Sequence, residues 1–156
     1  MLSIVPTPIG NLEDITFRAL ETLKVADLIA CEDTRHTLKL LRHFGIEKTL
    51  MSYHLHNREA ASEKILSYLK EGRHVALVTD AGMPGIQDPG SLIIERAIAQ
   101  GLEVDVLPGP TAFVNALVGS GLPTEHFFFH GFLPRKEQAR QRVFEDLSRL
   151  DATLIF

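Results

Sequence analysis

A rigid loop that directly follows a short apolar run constrains this chain more than any other feature. The run at residues 75–78 is Val-Ala-Leu-Val, and the next twelve residues contain three Gly and two Pro. Gly lets a ligand approach the main chain, and Pro stiffens the loop. Asp80 and Asp88 add hydrogen-bond acceptors to it. A buried strand that ends in such a loop predicts an α/β protein with a ligand site at the carboxyl end of the strand.

Two more apolar runs lead into loops of the same kind. Residues 2–5 lead into Pro-Thr-Pro-Ile-Gly-Asn at 6–11, and residues 104–107 lead into Pro-Gly-Pro-Thr at 108–111. A tight turn between strand and helix explains any one of these loops taken alone. The carboxyl ends of parallel strands meet at one edge of a sheet, so we expect the three loops to line one crevice.

Short β-branched runs alternate with amphipathic stretches, which is typical of a parallel sheet with helices on its faces. The strands are predicted at 2–5, 27–30, 49–53, 74–79 and 103–107, and the helices at 16–24, 36–44, 58–71 and 91–100. We expect Asn57 to cap the third helix and Gly72 to close it.

A cluster of Gly, Ser and Pro at residues 119–123 indicates a domain boundary. We therefore predict an N-terminal α/β domain at 1–118, which ends in a helix at 111–119, and a linker at 119–124. Residues 125–156 follow with a Phe-rich strand, a helix from about 135 to 150 and an apolar run at 153–156. Because these few elements bury little core, we expect them to open a second α/β domain that this chain truncates.

The composition of the 156 residues excludes several classes of protein. A content of 45% hydrophobic and 23% charged residues is typical of a globular domain. No apolar run approaches the roughly 20 residues that span a bilayer, and the first residues do not resemble a signal peptide, so we expect a cytoplasmic protein. Cys31 is the single cysteine, which excludes an intrachain disulfide, and the seven His lack zinc-site spacing, so we predict no metal.

The formal net charge of −4 argues against a general nucleic-acid binder. An RNA partner would need a local basic patch. Two segments supply clustered cations: one contains His36, Lys39, Arg42, His43 and Lys48, and the other contains Arg135, Lys136, Arg140 and Arg142. Both segments are equally explained as solvated helix faces.

Functional side chains follow the second and third predicted strands. The segment Glu-Asp-Thr-Arg-His-Thr at 32–37 is explained in part by helix capping through Asp33 or Thr34, with Glu32 paired to Arg35. An Arg held by a carboxylate also suits phosphate binding. His54 and His56 end the third strand, where each is a base, an RNA contact or a surface residue.

The common phosphate-binding and nucleophile motifs are absent from the sequence: it contains no Gly-x-Gly-x-x-Gly, no Gly-x-x-x-x-Gly-Lys and no Gly-x-Ser-x-Gly. What remains is a site of backbone, small residues and a few acceptors. Such a site suits a cofactor with an adenosine and a charged amino-acid moiety.

Five segments together carry a resemblance to a known family. They are residues 5–12, 32–37, 80–84 with 88–90, 107–110, and 121–123 with 131–134. In this order they closely resemble the tetrapyrrole (corrin/porphyrin) methylase superfamily, and within it the branch that methylates the ribose 2′-hydroxyl of a cytidine in small-subunit (16S) ribosomal RNA. The resemblance implies a two-domain α/β methyltransferase that binds S-adenosylmethionine between its domains, acts on the small ribosomal subunit and is commonly a homodimer.

The resemblance also implies roles for individual residues. The cofactor would contact Pro8, Gly10, Asp80, Ala81, Gly82, Pro84, Pro108, Gly109, Pro110, Thr111 and Ala112. Asp80 is the first candidate for the polar group at the reacting centre, and Glu32 and His56 are the next. Arg35 and Asn57 are candidate RNA or ribose contacts. Two alternatives remain: a methyltransferase for a tetrapyrrole or another small molecule, and a catalytically silent binding or dimerisation fragment.

Overall fold

The computed structural model describes all 156 residues, which divide after Thr111 into two units. The first unit, Met1–Thr111, alternates strands and helices as the sequence predicted. Its strands are β1 Leu2–Ile4, β2 Leu28–Cys31, β3 Leu50–Ser52, β4 Val75–Val78 and β5 Val104–Val106. Its helices are α1 Phe17–Val25, α2 Thr34–His43, α3 Arg58–Lys70 and α4 Gly90–Ala99, with a short 3-10 turn at Leu12–Asp14.

The five strands form one parallel sheet in the order β3-β2-β4-β1-β5. Ile4 of β1 is in register with Leu77 of β4 on one side and with Val106 of β5 on the other. The three strands that precede the Gly- and Pro-rich loops are therefore neighbours. This fold confirms the predicted α/β class with a parallel sheet.

Both faces of the sheet are buried, as a parallel sheet requires. Successive side chains of a strand point to opposite faces, and β4 shows this directly. Val75 and Leu77 pack with α3 and α4, whereas Ala76 and Val78 pack with α1 and α2. The apolar run at 75–78 is therefore a strand with no polar face.

Polar side chains fix where two of the helices begin. The Thr16 hydroxyl accepts a hydrogen bond from the backbone N–H of Ala19 at the start of α1, and the Asp33 carboxylate accepts one from the N–H of Arg35 at the start of α2. The predicted capping by Asp33 is confirmed.

The predicted cap of α3 is wrong. Asn57 occupies the N-cap position, but its side chain makes no capping hydrogen bond. Its Oδ1 instead accepts from the N–H of His54 and its Nδ2 donates to the carbonyl of Ser52, at 2.8 and 3.0 Å. The amide therefore closes the turn between β3 and α3, because the Asn57 backbone is already helical rather than extended.

The second unit, Ala112–Phe156, contains α5 Ala112–Ser120, β6 Phe127–Phe129, α6 Glu137–Leu147 and β7 Thr153–Ile155. Strands β6 and β7 pair in parallel. The sequence placed α5 in the first domain, whereas the structure groups it with the second unit. Within this unit the Phe113 ring of α5 stacks on the Phe129 ring of β6, with centroids 4.6 Å apart. Leu117 is the only buried hydrophobic side chain of this unit.

A histidine interacts with the amino-terminal edge of the main sheet. His74 Nε2 lies 2.8 Å from the buried Ser3 hydroxyl, and the backbone N–H of His74 donates to the Asp27 carboxylate. Burial lowers the pKa of His74 below its usual value, and the N-terminal ammonium acts in the same direction, while Asp27, Asp105 and Glu103 oppose them. The fold therefore favours the neutral imidazole.

A pH dependence of stability follows from this histidine. Below about pH 6.5 the unfolded chain binds a proton that His74 of the folded chain resists, so the free energy of unfolding should fall as the pH drops from there to the lowered pKa. Chemical denaturation at a series of pH values measures this. The variant His74→Gln should show a shallower dependence, while the control His126→Gln, which changes an exposed histidine outside the helices, should keep the native one. Equal slopes for wild type and His74→Gln would contradict the assignment.

Candidate functional site

Strand β4 lies at the point of the sheet where the chain changes faces. It is flanked by β2 and β1, whose following helices, α2 and α1, cover one face. The helix that follows β4 itself, α4, covers the other face. The loops that leave β1, β2 and β4 therefore diverge around the carboxyl end of β4. In open α/β sheets this is the position where ligands bind.

Thr7 joins the loop after β1 to the loop after β4. Its N–H donates to the carbonyl of Gly82, and the N–H of Gly82 donates to the carbonyl of Thr7, both at 3.0 Å. The buried Thr7 hydroxyl also donates to the carbonyl of Thr79 at 3.0 Å. Gly82 has φ +84°, a conformation that favours glycine. The two loops thus form one rigid unit.

The loop after β5 packs against this unit without space for a side chain. A Cβ atom built on Gly109 would lie 2.8 Å from Cβ of Pro6, closer than two carbon atoms can approach. On the other side, a Cβ at Gly82 would lie 3.8 Å from the carbonyl oxygen of Pro110. The loops after β1, β4 and β5 therefore meet at one edge of the sheet, as expected from the sequence.

Asp88 holds the distal half of the β4 loop together. Its carboxylate accepts hydrogen bonds from the N–H of Gly85 at 2.8 and 2.9 Å and from the N–H of Gly90 at 2.6 Å. Burial raises the pKa of Asp88, and these amide hydrogen bonds oppose the rise. The sequence offered Asp88 as an acceptor for a ligand, but the structure uses it within the loop.

Asp80 and Glu32 are brought together at the same edge. Oδ1 of Asp80 accepts from the N–H of Asp33 at 3.2 Å, which ties the loop after β2 to the loop after β4. A carboxylate oxygen of Glu32 accepts from the Thr79 hydroxyl at 3.4 Å. Burial raises the pKa of Glu32, and the negative charge of Asp80 raises it further. The pair forms a half-buried acidic centre.

Arg35 pairs with Asp33, so the expected pair of Glu32 and Arg35 is wrong. Its guanidinium binds the Asp33 carboxylate at 2.8 and 3.2 Å, and this contact lowers the pKa of Asp33. Because Asp33 also caps α2, its carboxylate already faces the start of the helix, whereas Glu32 turns towards Thr79. The Arg35 side chain remains 87% exposed.

His56 and Asn57 follow β3, which lies next to β2 and is separated from β4 by β2. They therefore lie at the β3 side of the edge, where the nearby His54 opposes the rise in the pKa of Glu32. His56 is exposed, with its ring centroid 5.8 Å from that of His54. Nδ1 of His54 is buried without a hydrogen-bond partner. Both ends of the Asn57 amide are used within the turn.

A cavity of about 240 Å³ opens beside Asp80. Its walls come from the β1 loop, from α2 and from the β4 loop, and include Thr7, Pro8, Leu12, His36, Lys39 and Asp80. Sites for small molecules usually begin at about 300 Å³, so this cavity is sized for part of a ligand. Of these residues, only Pro8 and Asp80 were in the predicted set. The spacing of His36 and Lys39 on a predicted helix was a usable signal, whereas nothing local marked Thr7 or Leu12.

The other residues of the predicted cofactor set are distributed over the three loops. Ala81 and Gly10 are exposed, whereas Gly82 and Pro84 are buried. Residues 108–111 form the β5 loop and are exposed or half-buried. Ala112 begins α5 and so belongs to the second unit.

The chain contains neither a cluster of metal-ligating side chains nor a helix suited to a membrane. No group of three or more His, Cys, Asp or Glu side chains in the chain is placed to hold a metal ion. None of the helices combines the length and the apolar composition that crossing a membrane demands.

Comparisons with known proteins identify relatives over the whole chain. The model of the Tetrapyrrole (Corrin/Porphyrin) Methylases matches residues 1–156. The chain is 55% identical to "Ribosomal RNA small subunit methyltransferase I" of Halalkalibacterium halodurans, with 99% of the chain and 54% of that protein covered. It is 49% identical to the protein of the same name from Bacillus subtilis, with 100% and 53% covered. The chain thus spans about half the length of these relatives.

A solved structure shows the same fold. The crystal structure of a diphthine synthase superposes with a TM-score of 0.75 at 20% identity, covering 98% of this chain and 62% of that one.

The close contact of Gly109 with Pro6 predicts an effect on stability. Gly109→Ala should lower the free energy of unfolding by about 1–3 kcal/mol, because the added methyl group forces the β1 and β5 loops apart. Gly119→Ala is the matched control: its Cβ meets nothing within 4 Å, and alanine favours the helix in which Gly119 lies. Denaturant titration compares the two variants. Equal stability of Gly109→Ala and wild type would show that the loops are not closely packed.

Proposed function

Because the chain belongs to the tetrapyrrole (corrin/porphyrin) methylase family, we propose that it acts in an S-adenosylmethionine-dependent methyltransferase for small-subunit (16S) ribosomal RNA. The proposed acceptor is the ribose 2′-hydroxyl of a cytidine. The observation that carries the proposal is the edge where the loops after β1, β2, β4 and β5 join around Asp80. The names of the relatives from H. halodurans and B. subtilis support the choice of ribosomal RNA among the substrates of the family.

The residues at this edge fit S-adenosylmethionine. The cofactor carries ribose hydroxyls and an ammonium group, and both need hydrogen-bond acceptors. Asp80 and Glu32 supply carboxylate oxygens, and neither is neutralised by an ion pair, since the ion pairs of the chain involve other carboxylates. The backbone of residues 108–110 supplies a surface free of large side chains. We therefore assign the cofactor to the loops at 6–11, 79–84 and 108–112.

When bound, the cofactor supplies an electrophilic methyl group on a sulfonium. The residues of the chain have to align the ribose hydroxyl with the methyl group and accept the proton that the hydroxyl loses. Asp80 is the first candidate for this role, because rigid loops on both sides fix its position. Glu32 is the second, and its raised pKa makes it a stronger proton acceptor than an ordinary carboxylate once it is ionised.

The roles of the remaining predicted residues are part of the proposal. Arg35 is exposed at the start of α2 and is held in place by Asp33, which suits a contact with an RNA phosphate. His56 and Asn57 would contact the RNA at the β3 side of the edge, because they follow that strand. We also propose that the full-length protein is a cytoplasmic homodimer whose substrate is the small ribosomal subunit.

The proposal is tested by transfer of a labelled methyl group from S-adenosylmethionine to small ribosomal subunits that lack the modification, with the protein at its full natural length. We expect a 2′-O-methylated cytidine in the ribosomal RNA. Unlabelled RNA, together with demonstrated cofactor binding, would contradict the RNA substrate. Label on an added tetrapyrrole in that case would favour the small-molecule alternative.

Asp80 allows the ligand role to be separated from the structural one. Asp80→Asn keeps Oδ1 as an acceptor for the N–H of Asp33 and removes the charge, so the thermal midpoint should stay near that of the wild type. Its affinity for S-adenosylmethionine should fall about tenfold or more, since a hydrogen bond to a charged group contributes about 1.5–3 kcal/mol. Asp80→Ala should lower both the thermal midpoint and the affinity for S-adenosylmethionine.

Calorimetric titration and thermal unfolding measure the two effects. Wild-type affinity and wild-type methyl transfer in Asp80→Asn would remove Asp80 from the site.

A further inference from the structure

We propose that the exposed face of α2 binds the phosphate backbone of the RNA substrate, with Lys39 contacting the phosphate next to the reacting ribose. This inference rests on the proposed function. It assigns a role to Lys39, His36 and Arg42, which neither the mechanism nor the packing of the fold uses.

The charge of α2 is opposite to that of the chain. Arg35, His36, Lys39, Arg42 and His43 make up half of its ten residues, and it contains no Asp or Glu. The whole chain has a formal net charge of −4. A basic face on an acidic protein attracts a polyanion locally, whereas the acidic parts of the surface repel it.

Most of these cations have no carboxylate partner. Elsewhere in the first unit, four of the eight Lys and Arg side chains are paired with acidic side chains, namely Arg18, Lys24, Arg73 and Arg96. On α2 only Arg35 is paired, through Asp33. Lys39 lies three residues from both His36 and Arg42, so the three side chains share one face, on which the like charges of Lys39 and Arg42 repel each other.

The helix dipole explains some of these cations and not others. Arg42 and His43 lie in the last turn of α2, where positive charge stabilises a helix. His36 lies in the first turn and Lys39 in the middle, where the dipole gives no such stabilisation. The helix dipole therefore does not account for Lys39 and His36, which line the cavity, whereas binding of an anion would.

The cavity connects these cations with the acidic centre. His36 and Lys39 form one side of it, and Asp80 and Thr7 form another. Lys39 and Asp80 therefore line one cavity, so a phosphate bound by Lys39 would bring its nucleotide towards Asp80. The inner side of α2 anchors this arrangement, since Leu40 and Leu41 are buried in the core.

This arrangement favours RNA over an acidic protein as the partner. An acidic peptide would match the cations of α2, but it brings no group that needs the cavity. A nucleotide carries a phosphate and a hydroxyl acceptor in one unit, and the structure offers a cation and a carboxylate in one cavity. Lys is suited to the phosphate as a compact point charge.

The test compares three variants of the full-length protein: Lys39→Gln, the double variant Lys39→Gln/Arg42→Gln, and the control Lys70→Gln. Lys70 is an exposed lysine on α3, on the opposite face of the sheet, so the control makes the same charge change elsewhere. The measurements are affinity for unmodified small subunits and for naked ribosomal RNA at several salt concentrations, affinity for S-adenosylmethionine, and methyl transfer.

We expect each lost phosphate contact to reduce the slope of log affinity against log salt by about 0.7–0.9. The double variant should bind RNA about tenfold more weakly at low salt and methylate it correspondingly less at subsaturating RNA. Its affinity for S-adenosylmethionine should equal that of the wild type, and Lys70→Gln should match the wild type in every measurement.

The outcomes separate this inference from the proposed function. If the wild type methylates RNA and the double variant keeps its affinity and salt slope, the role of α2 is wrong and the proposed function stands. If the wild type binds S-adenosylmethionine but neither binds nor methylates RNA, both are wrong. An equal loss in Lys70→Gln would show unspecific charge attraction. A loss on whole subunits without a loss on naked RNA would identify an acidic protein as the partner of α2. Either of these last two results would overturn the inference.

Discussion

The reciprocal backbone hydrogen bonds between Thr7 and Gly82 are the contact on which the candidate site depends. They join two loops that leave adjacent strands towards opposite faces of the sheet and would otherwise separate. The Thr7 hydroxyl adds a bond to the carbonyl of Thr79, and Gly109 packs on Pro6 from the third loop. With these contacts in place, the position of Asp80 is fixed by the backbone rather than by a flexible side chain. Such preorganisation is what methyl transfer by alignment requires.

The candidate site combines a rigid backbone with a few charged side chains. The polar side-chain atoms of Asp88 and Asn57 form hydrogen bonds within their own loops. Asp80 and Glu32 therefore remain as the acceptors at the edge. The Asp33 carboxylate both caps α2 and binds the guanidinium of Arg35. The basic face of α2 begins next to this acidic centre. Opposite charges are therefore arranged side by side along one edge of an otherwise acidic protein.

Much of this fold was predictable from the sequence, because apolar runs of strand length and Gly- and Pro-rich loops are local signals. The strands and helices of the first unit were predicted within a few residues, and so was the meeting of its three loops. The ion-pair and hydrogen-bond partners of individual side chains were not predictable. Glu32 and Asp33 are adjacent carboxylates, and only the course of the loop decides which one meets Arg35. The grouping of α5 with the second unit is accompanied by a stack between Phe113 and Phe129, a tertiary contact that no local pattern of the sequence reveals.

The structure of the full-length protein with S-adenosylmethionine bound is the most direct test of the proposed cofactor site. We predict that the ligand contacts the loops at 6–11, 79–84 and 108–112, with Asp80 or Glu32 within hydrogen-bond distance of its hydroxyl or ammonium groups. We also predict that the Thr7–Gly82 hydrogen bonds persist in the complex. A ligand bound away from the carboxyl end of β4, or separation of these loops in the complex, would show that the proposed site is wrong.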